Sequence, residues 1–188
     1  LEAKGADLLV LPEMFLTGYN IGVEAVGALA EVYNGESAQQ IASIAKAAGI
    51  AIVYGYPERA EDGQIYNAVQ LIDAKGERLC NYRKTHLFGD LDHSMFSAGQ
   101  DQLPIVQLNG WKLGFLICYD LEFPENARRL ALAGATAFHP GAQFDLATLE
   151  PLPDKLAQGG LGRAKVVAQL ERHIQETAVD RTHFQAEL

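Results

Sequence analysis

Short runs of apolar residues recur along the chain and predict a set of β-strands. The first run, LLVL, is continuous and is followed at once by proline, as expected for a strand buried on both faces. A short link at Asp73–Gly76 indicates a hairpin, so the strands on either side of it are antiparallel. The predicted strands are Leu8–Leu11, Ile50–Tyr56, Tyr66–Ile72, Glu77–Tyr82 and Lys112–Ile117.

Apolar residues at helical spacing alternate with these strands. Gly35–Ala48 has the pattern of an amphipathic helix, and Pro124–Leu132 begins with proline, a residue favoured in the first helical turn. The composition of Gly89–Gly99 predicts a loop, and Gln107–Gly110 is interpreted as the link to the next strand. Strands that alternate with helices and include one hairpin indicate an α/β protein with a mixed sheet.

The composition is that of one globular domain. The chain has 188 residues, of which 48% are hydrophobic and 21% are charged. The formal net charge is −9, with only 15 lysines and arginines and no dense basic cluster, which argues against nucleic-acid binding. No apolar run reaches the roughly 18 residues of a membrane-spanning helix, and no signal peptide is recognisable. We therefore expect neither a nucleic acid nor a membrane as a partner.

The cysteines and histidines limit the possible chemistry. Cys80 and Cys118 are the only cysteines, too few for a disulfide framework or a cysteine-rich zinc site, so a reducing cytoplasm fits the sequence best. His86 has no neighbour at a spacing typical of metal ligands. The sequence thus predicts a cytoplasmic protein without a metal or another cofactor.

Three reactive side chains stand where predicted strands end. Glu13 closely follows the first strand, Lys84 follows the hairpin, and Cys118 lies between a strand and a helix. The helix start favours a reactive thiolate at Cys118, and burial would raise the pKa of Glu13 towards that of a useful general base. Taken singly, each residue also has an ordinary interpretation: a solvated loop glutamate, a solvated lysine and a packed free cysteine.

The segments around these residues, LPEMFLTGY, YRKTHLF and ICYDLEFPE, together resemble the nitrilase superfamily of carbon–nitrogen hydrolases. The similarity runs from about Gly5 to Ala137, and three motifs in register are far more specific than one. The Cys-Tyr-Asp sequence is similar to the amidase branches, whereas true nitrilases usually carry Trp-Glu after the cysteine. The resemblance implies an α-β-β-α sandwich with mixed sheets, which this chain would form incompletely at both ends.

The resemblance also implies a reaction and roles for the site residues. Cys118 would attack the carbonyl carbon of a small amide and form a thioester with loss of ammonia, and water would then release a carboxylic acid. Glu13 would act as the general base, while Lys84 and the backbone N–H of Tyr119 would bind the oxyanion. The family carries a second glutamate in the loop after the lysine; here Asp92 lies nearest to that position.

Other interpretations stay open. The chain could be an inactive or truncated relative that keeps the site residues without full activity, or a member that hydrolyses nitriles. A cysteine or serine protease is disfavoured, because neither His86 nor His93 lies in a segment typical of a catalytic partner.

After Ala137 only a trace of the similarity remains, up to Gln143, so we divide the chain into a partial carbon–nitrogen hydrolase-like domain, residues 1–143, and a divergent tail, residues 144–188. Within the tail, Arg163–Thr177 has the spacing of an amphipathic helix. Compared with the family, we expect the chain to lack the first strand and most strands after Ala137, which would leave sheet edges unpaired. We therefore expect a weakly stable chain that forms a homo-oligomer or aggregates.

Overall fold

The computed structural model describes residues 6–100 and 102–139. Within these ranges the chain forms seven strands, four α-helices and one 3₁₀-helix. In chain order they are β1 Leu8–Val10, α1 Val23–Leu29, α2 Glu36–Ala48, β2 Ala51–Arg59, β3 Ile65–Ile72, β4 Arg78–Arg83, α3 Gly89–Met95, β5 Ile105–Leu108, β6 Trp111–Phe115, the 3₁₀-helix Cys118–Glu122, α4 Pro124–Leu132 and β7 Ala137–His139.

The strands form two mixed sheets. In the first sheet the order is β1-β2-β3-β4, with β1 parallel to β2 and the other neighbours antiparallel. In the second sheet β6 lies between β5, which is antiparallel to it, and β7, which is parallel. The link Asp73–Gly76 joins β3 to β4 as a tight turn, which confirms the hairpin predicted from the sequence.

The two sheets pack face to face between helices. Apolar side chains from both sheets, such as Val53 and Phe115, meet in one buried cluster. Helix α2 packs through Ile41 on the outer face of the first sheet. Helix α4 covers the second sheet, where a Cβ at Gly114 would come 2.7 Å from a methyl carbon of Leu130. These four layers are the predicted α-β-β-α sandwich with mixed sheets.

The predictions for strand β2 and for the range Gly89–Gly99 differ most from the structure. Strand β2 does not stop at Tyr56 but continues through Pro57 to Arg59. Proline has no N–H to donate to a neighbouring strand. Strand β1 ends opposite Val53 and does not reach Pro57, so no hydrogen bond between β1 and β2 is lost. The range Gly89–Gly99 is not a loop throughout, because its first seven residues form α3, whose buried residue Met95 packs in an apolar cluster.

Besides α3, the sequence did not predict strand β7 at Ala137–His139, helix α1 or strand β5. Helix α1 buries only Val26 and contains a glycine, so it lacks the apolar periodicity that indicates a helix. Strand β5 has four residues, and the range Gln107–Gly110 contains its end together with the turn into β6. Helix α1 and strand β5 owe their structure to packing rather than to a strong local pattern.

The tail predicted for residues 144–188, its helix at Arg163–Thr177 and the domain boundary at residue 143 lie outside the described residues. In the part of the chain that the structure describes, no helix is both long and apolar enough to cross a membrane.

Candidate active site

Glu13 lies in the loop after β1, which is pressed against β2. The next residue, Met14, is fully buried and has a positive φ of 52°. A Cβ at Gly55 of β2 would come 2.5 Å from the backbone nitrogen of Met14 and 2.9 Å from the Cα of Glu13. Only glycine permits this close approach of two backbones. The Glu13 side chain is consequently only 8% exposed, so it is not a solvated loop residue.

The Lys84 ammonium lies between two carboxylates. Its Nζ is 3.0 Å from Oε1 of Glu13 and 2.7 Å from Oδ2 of Asp92, and its side chain is fully buried. Burial opposes the charge of the ammonium, but the two carboxylates outweigh it and raise the pKa of Lys84. Lys84 is therefore a fixed buried cation and not a solvated lysine.

Asp92 reaches this lysine because α3 carries it into the site. Its Oδ2 also accepts a hydrogen bond of 2.9 Å from the backbone N–H of Phe88, and its Oδ1 accepts one of 2.5 Å from the Tyr19 hydroxyl. Burial and the bond to Asp92 raise the pKa of Tyr19, so this hydroxyl remains a donor. Every oxygen of the buried Asp92 carboxylate thus has a partner.

Cys118 stands at a strained turn between β6 and the 3₁₀-helix. Its φ of 47° lies in the left-handed region that residues other than glycine rarely adopt. The sequence correctly predicts a strand followed by a helix here, but α4 begins only at Pro124. The residues immediately after Cys118 therefore form a 3₁₀-helix and not the first turn of an α-helix.

The Cys118 thiol keeps its proton near neutral pH. Burial raises its pKa to about 11, the charge of Glu13 adds to this rise, and Lys84 and the backbone N–H of Tyr119 offset only part of it. The thiolate predicted from the helix start is therefore wrong, because burial and the neighbouring carboxylate outweigh the backbone amides. A buried thiol of this kind needs a base before it can react.

Glu13 has the properties of such a base. Burial raises its pKa, although Lys84 and a hydrogen bond from Asn67 lower it in part. This direction confirms the one predicted from the sequence. A carboxylate of raised pKa removes a thiol proton more readily than an ordinary surface carboxylate does.

Asp120 connects the lysine segment to the cysteine segment. Its fully buried Oδ1 accepts hydrogen bonds from the backbone N–H groups of Thr85, at 3.2 Å, and His86, at 2.8 Å. Its Oδ2 accepts bonds from the Tyr82 hydroxyl at 2.8 Å and from the backbone N–H of Ile117 at 2.9 Å. Of these partners, Thr85 directly follows Lys84 and Ile117 directly precedes Cys118. Asp120 therefore fixes the two strand ends relative to each other.

The backbone N–H of Tyr119 partly offsets the rise in the pKa of the Cys118 thiol. The Tyr119 ring packs edge-on against Phe88 and Phe123, with ring centroids 5.3 and 5.2 Å away. These contacts hold the peptide that follows the cysteine. The role of this N–H as an oxyanion donor stays a prediction.

The sequence analysis gave no catalytic role to Asn67, Asp120 or Tyr19. Asn67 and Tyr19 contact the predicted site residues through hydrogen bonds of 2.6 and 2.5 Å. A signal for Asn67 was present in the sequence, since an asparagine in a mostly apolar strand must find a partner when buried.

A cavity of about 340 Å³ opens beside the site and is lined in part by Thr85 and Phe123. None of Glu13, Lys84 and Cys118 lines this cavity. The candidate site is therefore defined by the contacts of Lys84 with Glu13 and Asp92 and not by this cavity. Among residues 6–100 and 102–139, no group of three or more histidine, cysteine, aspartate or glutamate residues could hold a metal ion.

A comparison with protein families agrees with this geometry. The family model described as carbon–nitrogen hydrolase matches residues 1–157. The chain belongs to the carbon–nitrogen hydrolase family. The domain boundary predicted at residue 143 lies inside the matched range and stays a prediction.

Curated members of the family share long stretches of this sequence. A Pseudomonas protegens protein described as a hydrolase in the pqqF 5′ region is 82% identical over 135 residues, which make up 72% of this chain and 47% of that protein. A 2-oxoglutaramate amidase of Bacillus subtilis is 35% identical over 150 residues, or 79% of this chain and 57% of that enzyme. The chain spans about half the length of the curated relatives it matches.

Solved structures of an amidase from Nesterenkonia sp. AN1 share the fold. A mutant in complex with acrylamide superposes with a TM-score of 0.65 at 28% identity, covering 85% of this chain and 60% of that one. Another mutant, with a TM-score of 0.60, 30% identity and coverages of 73% and 53%, shows covalent addition of the acetamide moiety of fluoroacetamide at the active-site cysteine. The described residues thus have the fold of nitrilase-superfamily amidases.

Proposed function

We propose that the protein is an amidase-type hydrolase that cleaves the non-peptide C–N bond of a small amide through a thioester on Cys118. The observation that carries this proposal is the buried chain of contacts from Glu13 through Lys84 to Asp92, whose charges all act on the Cys118 thiol. Buried charges that act on a thiol at a strained turn are typical of a functional site rather than of an ion pair that only stabilises a fold.

In the first half of the reaction, Glu13 takes the proton of the Cys118 thiol while the sulfur attacks the carbonyl carbon of the amide. The C–S bond forms as the carbonyl π electrons move to oxygen, which becomes an oxyanion. Glu13 then gives its proton to the amide nitrogen, the C–N bond breaks, and ammonia leaves. The acyl group remains on Cys118 as a thioester.

In the second half, a water molecule takes the place of ammonia. Glu13, again a carboxylate, accepts a proton from the water as its oxygen attacks the thioester carbon. The C–S bond breaks, and the sulfur recovers a proton from Glu13. The carboxylic acid leaves, and the side chains return to their starting protonation states.

Both tetrahedral intermediates carry a negative oxygen that needs donors. Lys84 supplies a cation that burial and two carboxylates hold in place, and the backbone N–H of Tyr119 belongs to the peptide that directly follows the nucleophile. An oxyanion donor of this kind typically contributes about 3 kcal/mol to transition-state stabilisation. Asp92 keeps the lysine charged and in place through both steps.

The relatives support an amide as the substrate. The similar proteins include the 2-oxoglutaramate amidase and an (R)-stereoselective amidase from a Pseudomonas species, the latter 38% identical over 133 residues. A relative from Pyrococcus abyssi, 38% identical over 141 residues, is called a nitrilase. An assay of function therefore includes matched amides and nitriles.

Ammonia release from the purified chain tests the proposal. We expect linear aliphatic amides to yield ammonia and the carboxylic acid in equal amounts, and the nitriles with the same acyl carbon skeleton to yield far less. Cys118→Ala removes the nucleophile and should abolish turnover, whereas Cys80→Ala should retain it, since Cys80 lies in β4 within the apolar cluster between the sheets.

The alternatives have distinct outcomes in this assay. A chain that folds but releases no ammonia from any amide is an inactive relative. Preferential turnover of nitriles makes it a nitrile-hydrolysing member. Equal activity of the wild type and Cys118→Ala contradicts a thioester mechanism in either case.

We also propose that the protein is cytoplasmic and self-associating. Both cysteines are free thiols, as in a reducing compartment. Four large apolar residues in and after α1 are about half exposed: Val23, Leu29, Val32 and Tyr33. A second copy of the chain would cover such a surface, and light scattering of the purified protein measures whether it does.

A further inference from the structure

The described residues make two hydrogen bonds to the Glu13 carboxylate, and both end on the same oxygen. The Asn67 side-chain N–H₂ donates to Oε1 of Glu13 at 2.6 Å, and the Lys84 ammonium donates to it at 3.0 Å. Among the described residues, no hydrogen bond to Oε2 of Glu13 is found. The two oxygens of this carboxylate are therefore not equivalent.

Asn67 is held rigidly where it makes this contact. It lies in β3 and is fully buried, and its backbone oxygen accepts a hydrogen bond of 2.8 Å from the backbone N–H of Lys84. The same residue thus positions the lysine through its main chain and the glutamate through its side chain. Its own side-chain oxygen is buried without a hydrogen-bond partner among the described residues.

A buried acceptor without a partner destabilises a folded protein. An apolar residue of similar size would remove this cost while losing a single bond to Glu13. The presence of asparagine is thus better explained by its effect on Glu13 than by its contribution to stability.

We propose that Asn67 is a positioning residue that, together with Lys84, occupies Oε1 of Glu13 with donors, so that Glu13 exchanges protons with Cys118 and the substrate at Oε2. This inference rests on the proposed role of Glu13 as the base. It assigns the proton transfers to one oxygen and explains how the carboxylate keeps its orientation when its proton comes and goes.

The hydrogen bond from Asn67 affects the pKa of Glu13, and this effect can be measured. The bond from Asn67 favours the ionised form of Glu13 and lowers its pKa. Loss of this bond raises the pKa of Glu13, so the base form appears only at higher pH. In a pH–rate profile, the acid limb is the low-pH side on which the rate rises with pH. For any reaction that depends on Glu13 as the base, this limb then moves to higher pH.

Alkylation of Cys118 by iodoacetamide measures this limb without turnover. The sulfur forms a bond to the CH₂ carbon as iodide leaves, and the thiol proton passes to Glu13. In a Cys80→Ala background only one cysteine remains to react. We expect Asn67→Leu and Asn67→Ser to shift the acid limb upwards by roughly 0.5–1 pH unit and to lower kcat about tenfold with little change in KM.

Gln70→Leu provides the matched control. Gln70 is another fully buried amide in β3, but its side chain bonds to Tyr54, Asn81 and the backbone of Tyr33 and not to Glu13. This variant should lose stability and keep the acid limb in place, whereas Asn67→Leu should keep its melting temperature and shift the limb.

An unshifted limb in folded Asn67→Leu and Asn67→Ser overturns the proposal, and so does an equal shift in Gln70→Leu. Failure of both Asn67 variants to fold also overturns it, because Asn67 would then be needed for the fold itself. The proposed function can fail separately: a chain that releases no ammonia but shows the limb shift supports the role of Asn67 and contradicts the amidase.

Discussion

The Lys84 ammonium lies 2.7 Å from Oδ2 of Asp92, and neither side chain is exposed to solvent. A buried charge is costly unless it is paired and hydrogen-bonded. Asp92 meets this condition through Lys84, the backbone N–H of Phe88 and the Tyr19 hydroxyl. Because Asp92 keeps the lysine charged, Lys84 can also bind Glu13 and, in the proposed reaction, an oxyanion that forms beside it.

Asp92→Asn removes one buried charge and keeps the shape of the side chain. The amide oxygen can still accept from Lys84, and the Tyr19 hydroxyl can rotate to accept from the new N–H₂ group. We expect the free energy of unfolding to fall by about 1–3 kcal/mol, because charge-assisted hydrogen bonds become neutral ones. Urea denaturation measures this loss.

The same substitution should move the acid limb of kcat/KM to lower pH. The charge of Asp92 raises the pKa of Glu13, and its removal lowers that pKa. Tyr19→Phe removes a hydrogen bond to Asp92 without changing a charge, so its acid limb should stay close to that of the wild type. An Asp92→Asn profile that coincides with the wild-type profile contradicts this electrostatic role.

Gly55→Ala should displace Glu13 without touching any charged group. The new Cβ would meet backbone atoms of Met14, Pro12 and Glu13 at 2.5, 2.8 and 2.9 Å, so the loop has to move. A misplacement of about 1 Å at a reacting group can cost about a hundredfold in rate, and we expect a loss of this order in kcat. Gly27→Ala in α1 meets no atom within 4 Å and is the control, with near-normal kcat.

The strand-end positions of Glu13, Lys84 and Cys118 could be predicted because apolar runs mark the strands that precede them. The contact between Glu13 and Lys84 depends on which strands are neighbours, and the resemblance to a family supplied that information. Asn67 could not be predicted as their partner, because it reaches Glu13 only through the packing of the β1 loop against the first sheet.

The ionisation of Cys118 shows a second limit of sequence reasoning. The local pattern of strand and helix favours a thiolate, but burial and the charge of Glu13 dominate the pKa of this cysteine. Both quantities depend on tertiary packing, which a local pattern does not contain. The short helices α1 and α3 were missed for a related reason. Each has only seven residues, and the two are stabilised by an apolar cluster that contains Val26 of α1 and Met95 of α3.

Lys84→Arg tests whether the cation needs a fixed position as well as a charge. Arginine keeps the charge, but its larger planar head cannot fit a fully buried site that holds an ammonium between two carboxylates. We expect both Lys84→Arg and Lys84→Ala to lose about a hundredfold or more in kcat. Near-normal kcat in Lys84→Arg would show that the charge alone is sufficient.

Glu13→Gln should separate stability from activity. The pKa of Glu13 is raised in the folded protein, so the folded state binds a proton more readily than the unfolded state, and the ionised carboxylate destabilises the fold at neutral pH. The isosteric amide removes this cost. We expect Glu13→Gln to melt at the same or a higher temperature than the wild type at pH 7 and to have no measurable kcat.

The sign of this stability difference depends on pH. As the pH falls below the ordinary pKa of a glutamate, Glu13 is protonated in both states of the wild type, and the advantage of Glu13→Gln should disappear. Thermal unfolding at several pH values from neutral to acidic follows this change. A Glu13→Gln variant that is clearly less stable at pH 7 would mean that the ion pair with Lys84 outweighs the cost of burial.

The central claim is that Cys118 carries the acyl group during turnover. Its most direct test is mass spectrometry of the chain after rapid acid quenching of its reaction with a simple aliphatic amide, followed by peptide mapping. We predict a mass increase equal to the amide minus ammonia on the peptide that contains Cys118, and neither adduct nor turnover in Cys118→Ala. Turnover by Cys118→Ala, or an acyl group attached to another residue, would contradict the account.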